Sequence, residues 1–172
     1  MKRLYCALAI LLICAALLCS CQFVEQEKEF GVGEMSITLS DYFYEVNGGN
    51  NYTAVYESNQ IVVFALAQMI SGFDEEALPA DATLEDYGAL VLKTNNREDL
   101  ELQTKDGVTY FVYERTSDSS QITYTHLTAI YKGPAAYWMI QFVCESADYP
   151  ELEEKMFQYA ASVTLTAEEE AE

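Results

Sequence analysis

Ala136-Tyr137-Trp138-Met139-Ile140-Gln141-Phe142-Val143-Cys144-Glu145 decides the fold. In an extended chain successive side chains point to opposite faces. Trp138, Ile140, Phe142 and Cys144 then point one way, and Tyr137, Met139, Gln141 and Val143 the other. Both sets are largely apolar. A strand with two apolar faces must be covered on both sides, so this run is a central strand with a layer above it and a layer below. Gln60 to Met69 repeats the pattern, with Ile61 to Ala67 continuously apolar.

Working outward, turn residues punctuate strands on either side. Lys132-Gly133-Pro134 separates the central run from a strand over Gln121 to Tyr131. Ser117 to Ser120 leads back to Val108 to Arg115, and Lys105-Asp106-Gly107 to a short strand over Leu100 to Thr104, which makes a meander. Upstream, Tyr52 to Glu57 forms a hairpin with Gln60 to Met69 through Ser58-Asn59. Met35-Ser36-Ile37-Thr38-Leu39 alternates apolar and polar, as a strand does. Asp41 to Val46 reads as an aromatic bend and Asn47 to Asn51 as a turn. Ser71 to Ala82 reads as a loop.

Two helices remain. Thr83 caps the first, with Asp86 at its third position and Leu84, Tyr87, Leu90 and Val91 on one face; Asn95-Asn96 ends it. The second starts near Asp148 with Pro150 in its first turn and buries Leu152, Met156, Tyr159, Ala160 and Val163. Two helices can cover the two apolar faces. The expected class is α+β: an α/β/α sandwich with a central, mostly antiparallel sheet flanked by two helices. Thr164-Leu165 is expected to add an edge contact.

The leader bounds location. Lys2 and Arg3 precede an uncharged run from Leu4 to Leu18. Roughly fifteen apolar residues suit a signal sequence better than a span, which needs about twenty. Leu18-Cys19-Ser20-Cys21 reads as a lipobox, with an aliphatic residue three places before the cysteine and a small one directly before it. Residues 1–20 are then a lipoprotein signal peptide, and Cys21 carries the acyl chains (palmitate among them) that hold the protein to the outer face of the cell membrane. An ordinary cleaved signal and an uncleaved anchor are the alternatives. One acyl chain binds only marginally, at about 0.8 kcal/mol per buried methylene. A lipoprotein with two or three is held stably. Residues 21–34 read as an acidic tether, 35–166 as one domain and 167–172 as a disordered acidic tail. Past Cys21 the chain has only Cys144, so no disulfide is expected within it.

The order of elements over Met35 to Leu165 resembles the Mog1/PsbP/DcrB-like superfamily. Its carriers are the Ile37-Thr38-Leu39 strand, the hairpin ending at Met69 and the helix opening on Thr83-Leu84-Glu85. The Tyr110-containing meander, the Tyr137-to-Val143 strand and a closing helix ending Ala161-Ser162-Val163 complete it. The resemblance implies an accessory or binding domain without catalysis, and it transfers no functional residue.

Net charge is −19, and −21 once Lys2 and Arg3 are set aside. That balance repels nucleic acid and anionic lipid surfaces alike. His126 is the one histidine, mid-strand and read as a satisfied sheet residue; Cys144 is read as an inert core thiol. One histidine and one cysteine make neither a zinc site nor an obvious nucleophile–base pair. Asp74-Glu75-Glu76 and Asp81-Glu85-Asp86 lack EF-hand spacing, so no metal or cofactor is expected. Tyr42, Phe43, Tyr44 and Tyr52 flank the Gly/Asn turn and mark a candidate interaction surface. The expected function is a lipid-anchored extracytoplasmic binding domain that takes an envelope protein or a small ligand. A surface carboxylate-based hydrolase and a structural spacer are the alternatives.

Overall fold

Strands dominate because aromatic and β-branched residues, which fit a pleated surface, recur between short turns. The computed structural model describes residues 25–79 and 81–167. The strands are β1 (Glu27–Val32), β2 (Met35–Ser40), β3 (Tyr44–Val46), β4 (Ala54–Glu57) and β5 (Val62–Met69), then β6 (Gln103–Lys105), β7 (Val108–Thr116), β8 (Thr123–Lys132), β9 (Ala136–Glu145) and β10 (Thr164–Leu165). Helix α1 (Leu84–Thr94) lies between β5 and β6, and α2 (Tyr149–Ala161) between β9 and β10. The strands form a seven-stranded sheet in the order β3-β4-β5-β9-β8-β7-β6 and a three-stranded sheet in the order β1-β2-β10. Among the described residues every pairing is antiparallel.

The position of β9 between β5 and β8 follows from its two apolar faces. On the first face Trp138, Ile140, Phe142 and Cys144 pack with Val63, Ala65 and Leu127 beneath Leu152, Met156 and Ala160 of α2 and Met35, Ile37 and Leu39 of β2. On the second, Phe111, Ile130 and Tyr137 meet Tyr87, Val91 and Leu92 of α1. The sandwich is therefore as its central strand requires. Thr83 and Asp86 cap α1 reciprocally: the Thr83 hydroxyl accepts from the Asp86 N–H at 3.1 Å, and the Asp86 carboxylate accepts from the Thr83 N–H at 2.8 Å. Gly88 lets α1 approach the sheet closely. A Cβ there would collide with Leu102 and stand 2.8 Å from Ile130 Cδ1.

Three expectations need correction. The tether reading of 21–34 fails from Glu27 onward, because 27–32 is β1, paired along its length with β2. Only Phe30 of β1 is buried. The exposed Glu27, Lys28 and Glu29 are what a protected edge strand carries, so its polarity hid it. Second, β2 belongs to a separate small sheet, whose Met35, Ile37 and Leu39 close the first face beside α2. Third, the aromatic bend contains a short strand, Tyr44–Val46, paired with β4. The expected signal sequence, Cys21 and the acidic run at 168–172 lie outside the described residues. Among the described residues no helix is long and apolar enough to cross a membrane.

Candidate functional site

Helix α1 covers only part of the second sheet face. Beyond its C-terminal end the register lays down two rows across β7, β8, β9 and β5: Phe111, Thr128, Gln141 and Phe64, then Tyr113, His126, Val143 and Val62. On the β5 side Tyr52 lies on Phe64, with ring centroids 4.7 Å apart. On the other side the end of α1 supplies Arg97. Asn96 adopts φ 53, the left-handed conformation asparagine tolerates. The Arg97 N–H then bonds back to Leu92 at 2.8 Å and the Asn96 N–H to Lys93 at 3.1 Å. This is a Schellman ending, and it fixes the backbone from which Arg97 reaches over the sheet.

Asn95, Arg97, Tyr113, Arg115 and Gln141 line a cleft of ≈ 200 Å³, with Phe111 also at its wall. The Arg97 guanidinium stands 4.4 Å over the Tyr113 ring. His126 stacks on the same ring at 4.6 Å and 7°. Gln141 Nε2 donates to the Tyr113 hydroxyl at 3.2 Å. Arg115 follows Tyr113 on the same face of β7. Burial raises the Tyr113 pKa, which Gln141 and both arginines partly offset. Burial also lowers the His126 pKa; Gln141 opposes this, while Arg115 and Arg97 add to it. Positive potential from both arginines thus reaches the imidazole.

His126 Nδ1 and Thr128 Oγ1 are buried side-chain atoms with no hydrogen-bond partner among the described residues. Both lie on this face, in adjacent rows. His126 is therefore a sheet residue, as expected, but not a satisfied one.

The four candidate aromatics separate. Phe43 is buried and packs edge-on against Tyr159 at 5.5 Å, so it is core and not surface. Strand alternation explains this: when Tyr44 points out, its neighbour points in. Tyr42 is exposed and lines a hollow with Leu152, Lys155 and Tyr159 beside α2. Tyr44 is exposed at the sheet edge and, by register through Val46, Val55 and Phe64, shares the second face. Tyr52 lies over Phe64, next to Gln141 in the sheet, and lines a separate hollow with Glu45, Asn47 and Thr53. Of the acidic clusters, Asp86 is occupied in the α1 cap, and its bonds to Thr83 hold its pKa below the usual value.

Cys144 is buried on the opposite face from His126, as their neighbouring pairs Cys144–Thr125 and Val143–His126 require. Burial, with Asp148 nearby, pushes the thiol up to about 11. In the native protein the Cys144 peptide should stay unlabelled by a maleimide under conditions that label it fully in denaturant. Rapid native labelling, read by mass spectrometry, would overturn its burial.

Comparison with known proteins bears on the fold. No family model matches the sequence, and no curated protein does. The solution structure of cyanobacterial PsbP (CyanoP) from Synechocystis sp. PCC 6803 superposes with a TM-score of 0.54 at 10% identity, covering 86% of this chain and 97% of that one. The fold is PsbP-like. A crystal structure from Bacteroides thetaiotaomicron gives a TM-score of 0.53 at 13% identity over 83% of this chain; it spans 50% of that longer protein. LpqN of Mycobacterium tuberculosis, described as involved in cell envelope biogenesis, matches with a TM-score of 0.41 at 12% identity, over 83% of this chain and 92% of that one. The PsbP-like architecture is the one the order of elements resembled.

Arg97, Arg115, Tyr113 and Gln141 carry the cleft of this PsbP-like domain, and none was singled out from sequence. A signal existed. Past Arg3 the chain has only these two arginines among its many acids. Alternation along β7 already placed Arg115 on the face of Phe111 and Tyr113.

Proposed function

We propose that the protein is a lipid-anchored, extracytoplasmic binding domain without catalytic activity, and that the cleft beyond α1 is its recognition surface. The observation that carries this reading is the open half of the second sheet face, where Arg97, Tyr113 and Arg115 gather in one cleft and Tyr52 covers the neighbouring Phe64. Aromatic rings and arginines are the side chains that dominate recognition surfaces. The anchor rests on Leu18-Cys19-Ser20-Cys21.

Two features weigh against the hydrolase alternative. The one body thiol and the one imidazole lie on opposite faces of the sheet. Glu25 and Asp86 are both held below the usual carboxylate range: Glu25 by Lys155, whose Nζ donates to Glu25 Oε2 at 2.7 Å, and Asp86 by its cap. A general acid needs the opposite shift.

The test places a photo-crosslinking residue at position 52 or at position 42 of the anchored protein in intact cells. Defined adducts from 52 and not from 42 are expected. Adducts from 42 alone, or from neither, would remove the cleft as a surface for a macromolecular partner. The anchor has its own test. Cys21→Ala should move the protein from the membrane fraction to a soluble or unprocessed form, and mature protein that stays on the membrane would sink the lipobox.

A further inference from the structure

Resting on the cleft as the recognition surface, we infer that it binds a small ligand by an oxyanion, a carboxylate or a phosphate, held between Arg97 and Arg115. The first argument is what the arginines do not do. The sequence holds 28 acidic against 9 basic side chains, so an arginine has many carboxylates to choose from. Lys105 and Lys155 take Glu154 and Glu25. Among the described residues neither Arg97 nor Arg115 forms an ion pair, although Glu98, Asp99 and Glu114 adjoin them in sequence. Both arginines line one cleft.

The second argument is preorganisation. Arg97 rests on the Tyr113 ring, and its backbone is locked by the Schellman ending of α1. Arg115 stands exposed near the end of β7, where its backbone is paired with Tyr124 of β8. A planar guanidinium already held in place gives up little entropy when it grips an oxyanion through parallel N–H bonds. Buried polar atoms without partners, His126 Nδ1 and Thr128 Oγ1, lie under the same face. Polar atoms left unpaired in a folded protein call for an explanation, and functional sites are where they are tolerated.

The third argument sets the ligand's size. A volume of ≈ 200 Å³ admits one carboxylate or phosphate and the few atoms that carry it. The net charge of −19 repels a polyanion across the rest of the surface, whereas a small anion meets only the cleft. Nucleic acid and acidic proteins are thus disfavoured, and a small anionic molecule is selected.

The test uses the full chain in detergent, labelled with ¹⁵N. Inorganic phosphate and benzoate are titrated separately at constant ionic strength, with chloride as the control. The Nε–H signals of Arg97 and Arg115 should shift saturably with at least one of the two anions and not with chloride. Response to phosphate alone assigns a phosphoryl ligand, and response to benzoate alone a carboxylate. Arg97→Gln and Arg115→Gln should each weaken binding about tenfold or more, with the midpoint of urea unfolding unchanged. Shifts that are absent, unsaturable or unaltered by Arg115→Gln would overturn the inference. Adducts from position 52 with no anion response would overturn the oxyanion and keep the cleft. Anion binding without those adducts would keep the oxyanion and remove the macromolecular partner.

Discussion

Glu34→Ala should lower the stability of the domain by about 2–4 kcal/mol, more than any surface carboxylate in this acidic chain. Glu34 is 8% exposed. Gly33, at φ 55, makes the two-residue turn between β1 and β2 and directs Glu34 inward. Its Oε1 accepts from the Ala136 N–H at 3.1 Å and from Trp138 Nε1 at 2.9 Å, and its Oε2 from the Ala135 N–H at 3.0 Å. Gly133 packs so closely that a Cβ there would collide with the carboxylate. One side chain thus satisfies three donors and pins the small sheet to the start of β9. Alanine strands all three, though water entering from the adjoining hollow beside Met69 and Ala135 relieves part of the cost. Glu34→Gln keeps one oxygen but turns an NH₂ toward a donor, and should cost about 1–2 kcal/mol. Urea unfolding measures both, as a lower midpoint at an unchanged slope. A Glu34→Ala midpoint equal to wild type would mean the three bonds contribute nothing. Trp138→Phe in the Glu34→Ala background should cost less than in wild type, because the indole N–H has already lost its acceptor.

Glu34 also shows which contacts a sequence pattern leaves unwritten. Periodicity exposed β5, β8 and β9 because burial on one or both faces wrote itself into the apolar pattern. The same rule hid β1, an exposed edge strand whose pairing is carried by backbone groups that all residues share. Nothing in a lone glutamate after a glycine says that its carboxylate faces a tryptophan a hundred residues on. Of the four candidate aromatics, Tyr52 packed on Phe64 beside the cleft, Tyr42 and Tyr44 stayed exposed and Phe43 entered the core. The composition of that segment was informative, but the direction of each side chain depended on where β3 began. The cleft joins the end of α1 to the middle of β7, and such contacts are fixed by the packing of helix on sheet. The capping box and the Asn95-Asn96 ending of α1 were local, and both were legible.

Tyr87→Ala should cost about 3–5 kcal/mol and open the cleft as well. Tyr87 is fully buried between α1 and the sheet, stacked on Tyr137 at 4.4 Å and 11°, with Phe73 edge-on at 6.1 Å. Its hydroxyl donates to Gln68 Oε1 at 2.7 Å. Removing the ring leaves a cavity under the helix and an unpaired amide oxygen. Tyr87→Phe keeps the stack and loses only that bond, about 1 kcal/mol. The consequence for function follows from Arg97. Its backbone is tied to Leu92 and its guanidinium to Tyr113, so α1 and the cleft share one support. Under native conditions α1 amides of Tyr87→Ala should exchange with deuterium faster than those of β9, whereas in Tyr87→Phe the two should keep their wild-type order. The Arg97 response to phosphate or benzoate should weaken in step with that exchange, while the Arg115 signal still shifts. If α1 loosens and the Arg97 response holds at full strength, then Tyr113 alone positions the guanidinium and the helix merely covers the sheet.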